Sequence, residues 1–428
     1  MFRHVLIILL FLGGVLMSQS LSSIEVKGVK IPVIFEKDSH LPIVSLQIVV
    51  KNSGSIKDGA KAGLAKFTAS MLNEGNKKLG SLKSADILDQ RAINLSVNNG
   101  TQTLVYELSS LKEQFLFGTS MLKDLIADPN FTKDSFLKVK SEFLGRISAK
   151  KTDFDYIASV NLKKILYPNT PLENPSLGDK KSINSLTLGD IENFYKTHMG
   201  LSDIIIVAGG DISEGELKKA IKPILENLSA GKQEKMSFYA TSPSEKEKIV
   251  KKDTDQAYIY FGAPFYMKSG DKDIYKSKVA SFILGESGFG SRLMEEVRVK
   301  KGLAYSVYAG ASTSKSHSAF NGYLQTKIST LDVAKKTVKK VIFDFVKNGA
   351  TKDELEQAKK FILGSEPLRN ETLSQRLSRA FFEYYNGYKL GHSKKVLKEI
   401  EELSLKDLND FIEKHTEIEK LSFSIVTK

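Results

Sequence analysis

The strongest constraint on this chain is that it repeats itself. Leu186-Thr187-Leu188-Gly189-Asp190-Ile191-Glu192-Asn193-Phe194, followed by Lys196-Thr197-His198, returns as Leu403-Ser404-Leu405-Lys406-Asp407-Leu408-Asn409-Asp410-Phe411 with Glu413-Lys414-His415, an offset of 217 residues. Each stretch predicts a helix with Thr187 or Ser404 as N-cap, because a hydroxyl there accepts from a backbone N–H that lacks an intrahelical partner. A short β-rich strand follows each, Asp203 to Ala208 and Leu421 to Thr427. A second pair, Thr132-Lys133-Asp134 and Thr351-Lys352-Asp353, lies 219 residues apart. It opens two more amphipathic helices, ending at Phe143-Leu144-Gly145 and Ile362-Leu363-Gly364. Two matches in the same order at nearly one offset imply a duplicated unit. Chance likeness between amphipathic helices is the competing reading.

The duplication divides 428 residues into halves at roughly 24–227 and 250–428, which suits a chain too long for one ordinary domain. Residues 228–249, with Ser-Ala-Gly and a Ser-Pro-Ser-Glu-Lys-Glu-Lys run, read as the connection. Each half mixes alternating strands (Val44 to Val50; Ala257 to Gly262) with long helices, so the class is α+β.

Composition narrows the chemistry. There are no cysteines, which excludes disulfides, thiolate zinc sites, cysteine nucleophiles and a lipid anchor on an N-terminal cysteine. Met1 to Ser20 reads as a secretory signal: Arg3 is the basic start, Val5 to Met17 the apolar run, and Ser18-Gln19-Ser20 the small-residue site. That run covers 13 residues, short of the roughly 20 a membrane span needs. An uncleaved anchor is the alternative. The expectation is an exported protein, not integral to the membrane after cleavage, and periplasmic in a Gram-negative host. The net charge of +13 does not make nucleic acid a partner. Lysines alternate with glutamates from Glu245 to Lys252 and from Lys394 to Glu402, as on solvated helix faces.

The segment Gly63-Leu64-Ala65-Lys66-Phe67-Thr68-Ala69-Ser70-Met71-Leu72 resembles the zinc helix of the insulinase/pitrilysin family, which includes the mitochondrial processing peptidases. In that family the helix reads Gly-Leu-Ala-His-Phe-x-Glu-His-Met-Leu, an inverted H-x-x-E-H motif. Here Lys66 and Ser70 stand at the histidine positions and Ala69 at that of the catalytic glutamate. The third ligand, a glutamate farther along, aligns with Arg146. Zinc hydrolysis needs imidazoles, a carboxylate and a general base for the bound water. The six histidines (His4, His40, His198, His317, His392, His415) include no pair within helical reach. Lys66 and Arg146 would put positive charge where the ion belongs; ordinary exposed positions are the alternative. Gly285-Glu286-Ser287-Gly288 misses the nucleophile elbow G-x-S-x-G because Phe289 holds the final glycine position.

The longest family resemblance lies in the second half. Gly288-Phe289-Gly290-Ser291-Arg292-Leu293 leads through Val297-Arg298-Val299-Lys300-Lys301-Gly302 into Leu303-Ala304-Tyr305-Ser306-Val307. The family uses an Arg and a Tyr seven residues apart here, matching Arg298 and Tyr305. Their implied role is to bind substrate opposite the zinc and donate to its carbonyl oxygen. A helix from Ser291 to Lys301 stopped by Gly302, then a strand from Leu303 to Ala309, would bring them to one edge. Taken singly, each also reads as an ordinary exposed or strand residue.

The resemblance implies two homologous halves, each a mainly antiparallel sheet with helices on a face. It also implies a non-catalytic, substrate-binding subunit of an exported heterodimeric zinc endopeptidase. A homologous partner would carry H-x-x-E-H and the zinc, this chain no cofactor of its own, and extended peptides would add along a sheet edge. The competing class is a catalytically inactive scaffold or peptide-binding protein.

Overall fold

The computed structural model describes residues 19–428, so the signal-like segment, apart from Gln19 and Ser20, lies outside the described residues. The first half contains strands β1 (Ser20–Val26), β2 (Val29–Lys37), β3 (Ile43–Lys51), β4 (Asn94–Asn99), β5 (Thr103–Leu111) and β6 (Ile204–Gly210). Its helices are α1 (Leu64–Leu72), α2 (Gly80–Asp89), α3 (Phe115–Ala127), α4 (Lys133–Ala149), α5 (Phe154–Leu166), α6 (Lys180–Ser185), α7 (Leu188–His198) and α8 (Glu214–Leu225). The second half contains β7 (Glu247–Lys251), β8 (Gln256–Ala263), β9 (Val307–Thr313), β10 (Ser318–Lys327) and β11 (Ser422–Thr427). Its helices are α9 (Ile274–Ser281), α10 (Arg292–Met294), α11 (Leu331–Asn348), α12 (Lys352–Gly364), α13 (Leu373–Tyr385), α14 (His392–Glu402) and α15 (Leu405–Lys414).

Strand order carries the duplication into three dimensions. One sheet runs β1-β2-β6-β3-β5-β4 and the other β7-β11-β8-β10-β9. Apart from the extra β1, the second order repeats the first. Both have one parallel pair, β2 with β6 and β7 with β11, and otherwise antiparallel neighbours. The fold is therefore α+β, two alike halves each built on a mainly antiparallel sheet. The repeated N-caps do the same job twice: Thr187 accepts from the Asp190 N–H and Ser404 from the Asp407 N–H.

Each sheet buries one face under its own helices. In the first half Leu46, Ile48, Tyr106 and Ile206 pack against Leu122, Leu217 and Ile221; in the second Ile259, Phe261 and Ile425 pack against Val338, Ile342 and Leu408. The opposite faces are covered by an exchange. Helix α13 of the second half lays Leu377 and Ala380 on Ile34, Val49, Ile205 and Val207 of the first sheet. Helix α5 of the first half crosses to the second sheet, where Asp155 accepts from Tyr260 (3.2 Å) and Gln325 (2.8 Å). Central strands β6 and β11 are buried along their whole length for this reason. Arg376 on α13 ties the exchange with ion pairs to Glu36 and Asp38, both at 2.5 Å.

Two details differ from the sequence reading. The first sheet starts at Ser20, whose partner on β2 is Phe35, rather than near residue 24. The Glu245–Lys252 region is not a helix face: Glu247 to Lys251 form β7, an edge strand beside β11. Its β-branched Ile249 and Val250 favour the pleat, and its charges sit on an edge where they discourage further pairing. The connection itself is held to the fold by hydrogen bonds. The Tyr239 N–H donates to Ser316 O, the Ser242 N–H to Leu166 O, and the Thr241 hydroxyl to Ser318 O.

Among the described residues, no helix is long and apolar enough to cross a membrane.

Candidate functional site

The degenerate zinc helix keeps its frame. Helix α1 is preceded by Gly63 as its N-cap residue, with φ +93°, and a Cβ there would meet the backbone of Gly178 at 2.9 Å, so only glycine fits. Asp58 stands in for an N-cap: its carboxylate accepts from the Gly63 and Ala65 N–H groups, both at 2.8 Å. Burial pushes that carboxyl up to about 7 despite the two donors. Leu64, Ala65, Phe67 and Met71 form a core with α4 and α7, where the rings of Phe67 and Phe143 lie 4.9 Å apart.

Residues i and i+4 share a helix face, so Lys66 and Ser70 stand together, half-buried, with the buried Ala69 beside Ser70. The Phe67–Phe143 contact fixes α4 against this face, and Arg146 lies over the Phe143 ring at 5.4 Å. Lys66 feels Arg146 directly: burial first, then the Arg146 charge, lowers the proton affinity of its amine. The four degenerate positions thus converge. An amine, a methyl, a hydroxyl and a guanidinium do not fit zinc, because the two nitrogen groups are cationic and no carboxylate or imidazole joins them. Among the described residues, no group of three or more His, Cys, Asp or Glu is placed to hold a metal ion.

The end of α1 also occupies a sheet edge. Asn73 donates to Val97 O and accepts from the Val97 N–H, both at 2.8 Å, pairing with edge strand β4 as another strand would.

In the second half, Arg298 and Tyr305 come together, by a route unlike the one the spacing suggests. Helix α10 widens into a π-helix, Glu295–Lys300, that carries Arg298. Gly302, at φ +58°, ends it. No strand begins at Leu303. The Leu303 N–H folds back to Val297 O, Leu303 O accepts from the Thr326 hydroxyl, and β9 starts only at Val307. Leu303 and Ala304 drop into the core and throw Tyr305 outward, 82% exposed. The Arg298 guanidinium then sits 4.4 Å from the Tyr305 ring centre and 4.5 Å from that of Phe289, a cation held between two aromatic faces.

Phe289 is the member that sequence reasoning missed, since there it only spoiled a nucleophile motif. It is 68% exposed, on a turn between Gly288 (φ +67°) and Gly290 (φ +93°). An aromatic residue flanked by turn glycines was the available signal. Arg292 has a structural task instead: its fork binds Glu354 at 2.6 and 2.7 Å and Gly349 O at 2.7 Å. Gly285 is there for packing, since a Cβ would meet Ala309 O at 2.5 Å.

Comparison with known proteins agrees with this pattern. A family model described as insulinase (peptidase family M16) matches residues 32–180. One described as the peptidase M16 inactive domain matches residues 185–362. The chain is similar to a non-peptidase homologue, YmxG, of Helicobacter pylori, with 42% identity covering 100% of this chain and 98% of the relative. Its structure is similar to a peptidase M16 inactive domain from Pseudomonas fluorescens, with TM-score 0.87 and 25% identity over 96% of this chain and 98% of that one. It shares the fold of a protease from Helicobacter pylori, with TM-score 0.84 and 16% identity over 96% of this chain and 100% of that one.

Proposed function

The chain belongs to the insulinase (M16) family of peptidases as a catalytically inactive member, and we propose that it is the non-catalytic, peptide-contacting subunit of an exported heterodimeric zinc endopeptidase. One asymmetry carries the proposal. The positions of the metal site hold Lys66, Ala69, Ser70 and Arg146, whereas Arg298 and Tyr305 are assembled, with Tyr305 exposed and Arg298 half-buried against its ring. A chain that had lost peptide chemistry altogether would have no use for a stacked Arg–Tyr pair with its tyrosine exposed. An organism that holds a close relative of this chain also holds a protease of the same fold, which supports a division of labour between homologues.

In this reading the partner contributes H-x-x-E-H and zinc, and this chain contributes donors to an extended peptide. The apolar run from Val5 to Met17 supports export. Because Asn73 already occupies β4 at Val97, peptide contact falls to Arg298, Tyr305 and Phe289 rather than to that edge.

The test is capture of the mature protein from its host's envelope extract, followed by assay on a quenched peptide with and without a zinc chelator. Co-purification of an H-x-x-E-H homologue with chelator-sensitive cleavage supports the proposal. Recovery without such a homologue and without cleavage favours an inactive peptide-binding or scaffold protein.

A further inference from the structure

The second half holds a cavity of about 350 Å³ between α9, α13, α14 and the turn Pro367–Arg369. That volume falls in the range of small-molecule sites. One wall is apolar, with Ile274, Phe382, Val396 and Leu397. The other carries three cations, Lys278, Arg369 and Arg379, and three acids, Glu286, Glu366 and Glu383.

The charges look balanced, but the acids are already engaged. Glu383, 3% exposed, accepts from the Gly391 and Ser393 N–H groups at 2.6 and 2.7 Å and so caps α14. Glu366 pairs with Arg379 and accepts from Asn370 at 2.8 Å. Glu286 accepts from the Tyr308 hydroxyl at 3.0 Å, and burial holds its carboxyl above the usual range. Two of the cations have no such direct partner. Among the described residues, neither the Lys278 amine nor the Arg369 guanidinium has a hydrogen bond or ion pair, and Lys278 is half-buried. Burial, then the nearby Arg369 charge, lowers the proton affinity of that amine. The Glu366 and Glu286 carboxylates act on Lys278 from a distance, in the opposite sense, and neither pairs with its amine, so its donors are free for a ligand oxygen.

We infer that this cavity binds a small carboxylate carrying an apolar chain, with the carboxylate on Lys278 and Arg369 and the chain along Phe382, Val396 and Leu397. Two sources share that chemistry: a free aliphatic acid, and the C-terminus of a peptide ending in an apolar residue. Helix α13 lines the cavity with Arg379 and Phe382 while its Arg376 grips the first half, so occupancy should also raise the melting temperature of the whole chain.

The experiment is calorimetric titration of the intact mature protein with octanoate and with an acetylated tripeptide ending in leucine. Octanamide and the C-terminally amidated tripeptide are the controls. Binding of at least one acid, with its amide at least tenfold weaker, is the expected result. Octanoate binding alone assigns a free acid, and tripeptide binding alone assigns a peptide terminus. Lys278→Met should weaken the binding at least tenfold, and Arg369→Ala, at an exposed position, serves as a second variant should the first fold poorly. Absence of binding by both acids, equal binding of acid and amide, or unchanged binding in both variants would overturn the inference.

Discussion

Arg376 and Glu36 lie 340 residues apart in the chain and 2.5 Å apart in space. Glu36 is 1% exposed on β2, and Gln19 also donates to it at 3.0 Å. The pair sits where α13 of one half covers the sheet of the other, so it joins two units that each have their own core. A buried carboxylate tolerates that position only with a cation against it.

Replacing Arg376 with Ala should therefore destabilise the protein by about 3–5 kcal/mol, the scale for stranding a buried charge. Replacing Glu36 with Gln in the same background should recover part of the loss, because the stranded charge is gone. Urea unfolding of the single and double variants checks this; equal losses in both would show that Glu36 is not the group left exposed to the penalty.

Tyr305→Phe, at an exposed position, should change stability by no more than about 0.5 kcal/mol, and Arg298→Ala, which removes a half-buried cation from between two rings, should cost about 0.5–1 kcal/mol. In the assembled pair each should lower turnover by about 10²-fold, the scale of one lost transition-state donor. Partner affinity should be unaffected. The phenylalanine variant keeps the ring over Arg298 and removes only the hydroxyl, so unchanged turnover there would assign Tyr305 a stacking role alone.

Zinc binding should be absent from the native chain and return when the donor set is rebuilt. Lys66→His, Ala69→Glu, Ser70→His and Arg146→Glu together restore two imidazoles, a ligand carboxylate and the carboxylate of the general base on the frame that Phe67 and Phe143 preserve. Elemental analysis after dialysis against zinc should find about one ion per quadruple variant. The triple variant that retains Arg146 should bind far more weakly, since the guanidinium still repels the ion. Equal loading of both would mean that Arg146 does not face the site.

Asp58 gives a pH dependence with a definite sign. Its folded carboxyl titrates near 7 against 3.8 when unfolded. Between those values the folded state keeps a proton that the unfolded state has released, so stability falls as pH rises from about 4 to about 7 and then levels. Melting curves of the native protein and Asp58→Asn across pH 5 to 8 should diverge by this slope. Parallel curves would show that the two donors of the α1 N-terminus hold Asp58 ionised throughout.

What the sequence by itself determined was the plan of the molecule. The repeats at Thr187 and Ser404 are local: a hydroxyl one residue before an amphipathic run caps a helix wherever it occurs, so copies of a unit announce themselves in one dimension. The missing chemistry was legible for the same reason, since Lys66, Ala69 and Ser70 are absent donors whatever surrounds them. Tertiary structure alone decided how the copies are joined and how the retained site is built. Nothing local in Leu373–Tyr385 or Phe154–Leu166 says that each helix covers the other half's sheet. An apolar helix face specifies burial, and only the competition among all such faces selects its partner. Leu303 to Ala309 shows the same limit: the alternation reads as a strand, yet burial of Leu303 and Ala304 wins, and Tyr305 is turned out to meet Arg298 and Phe289.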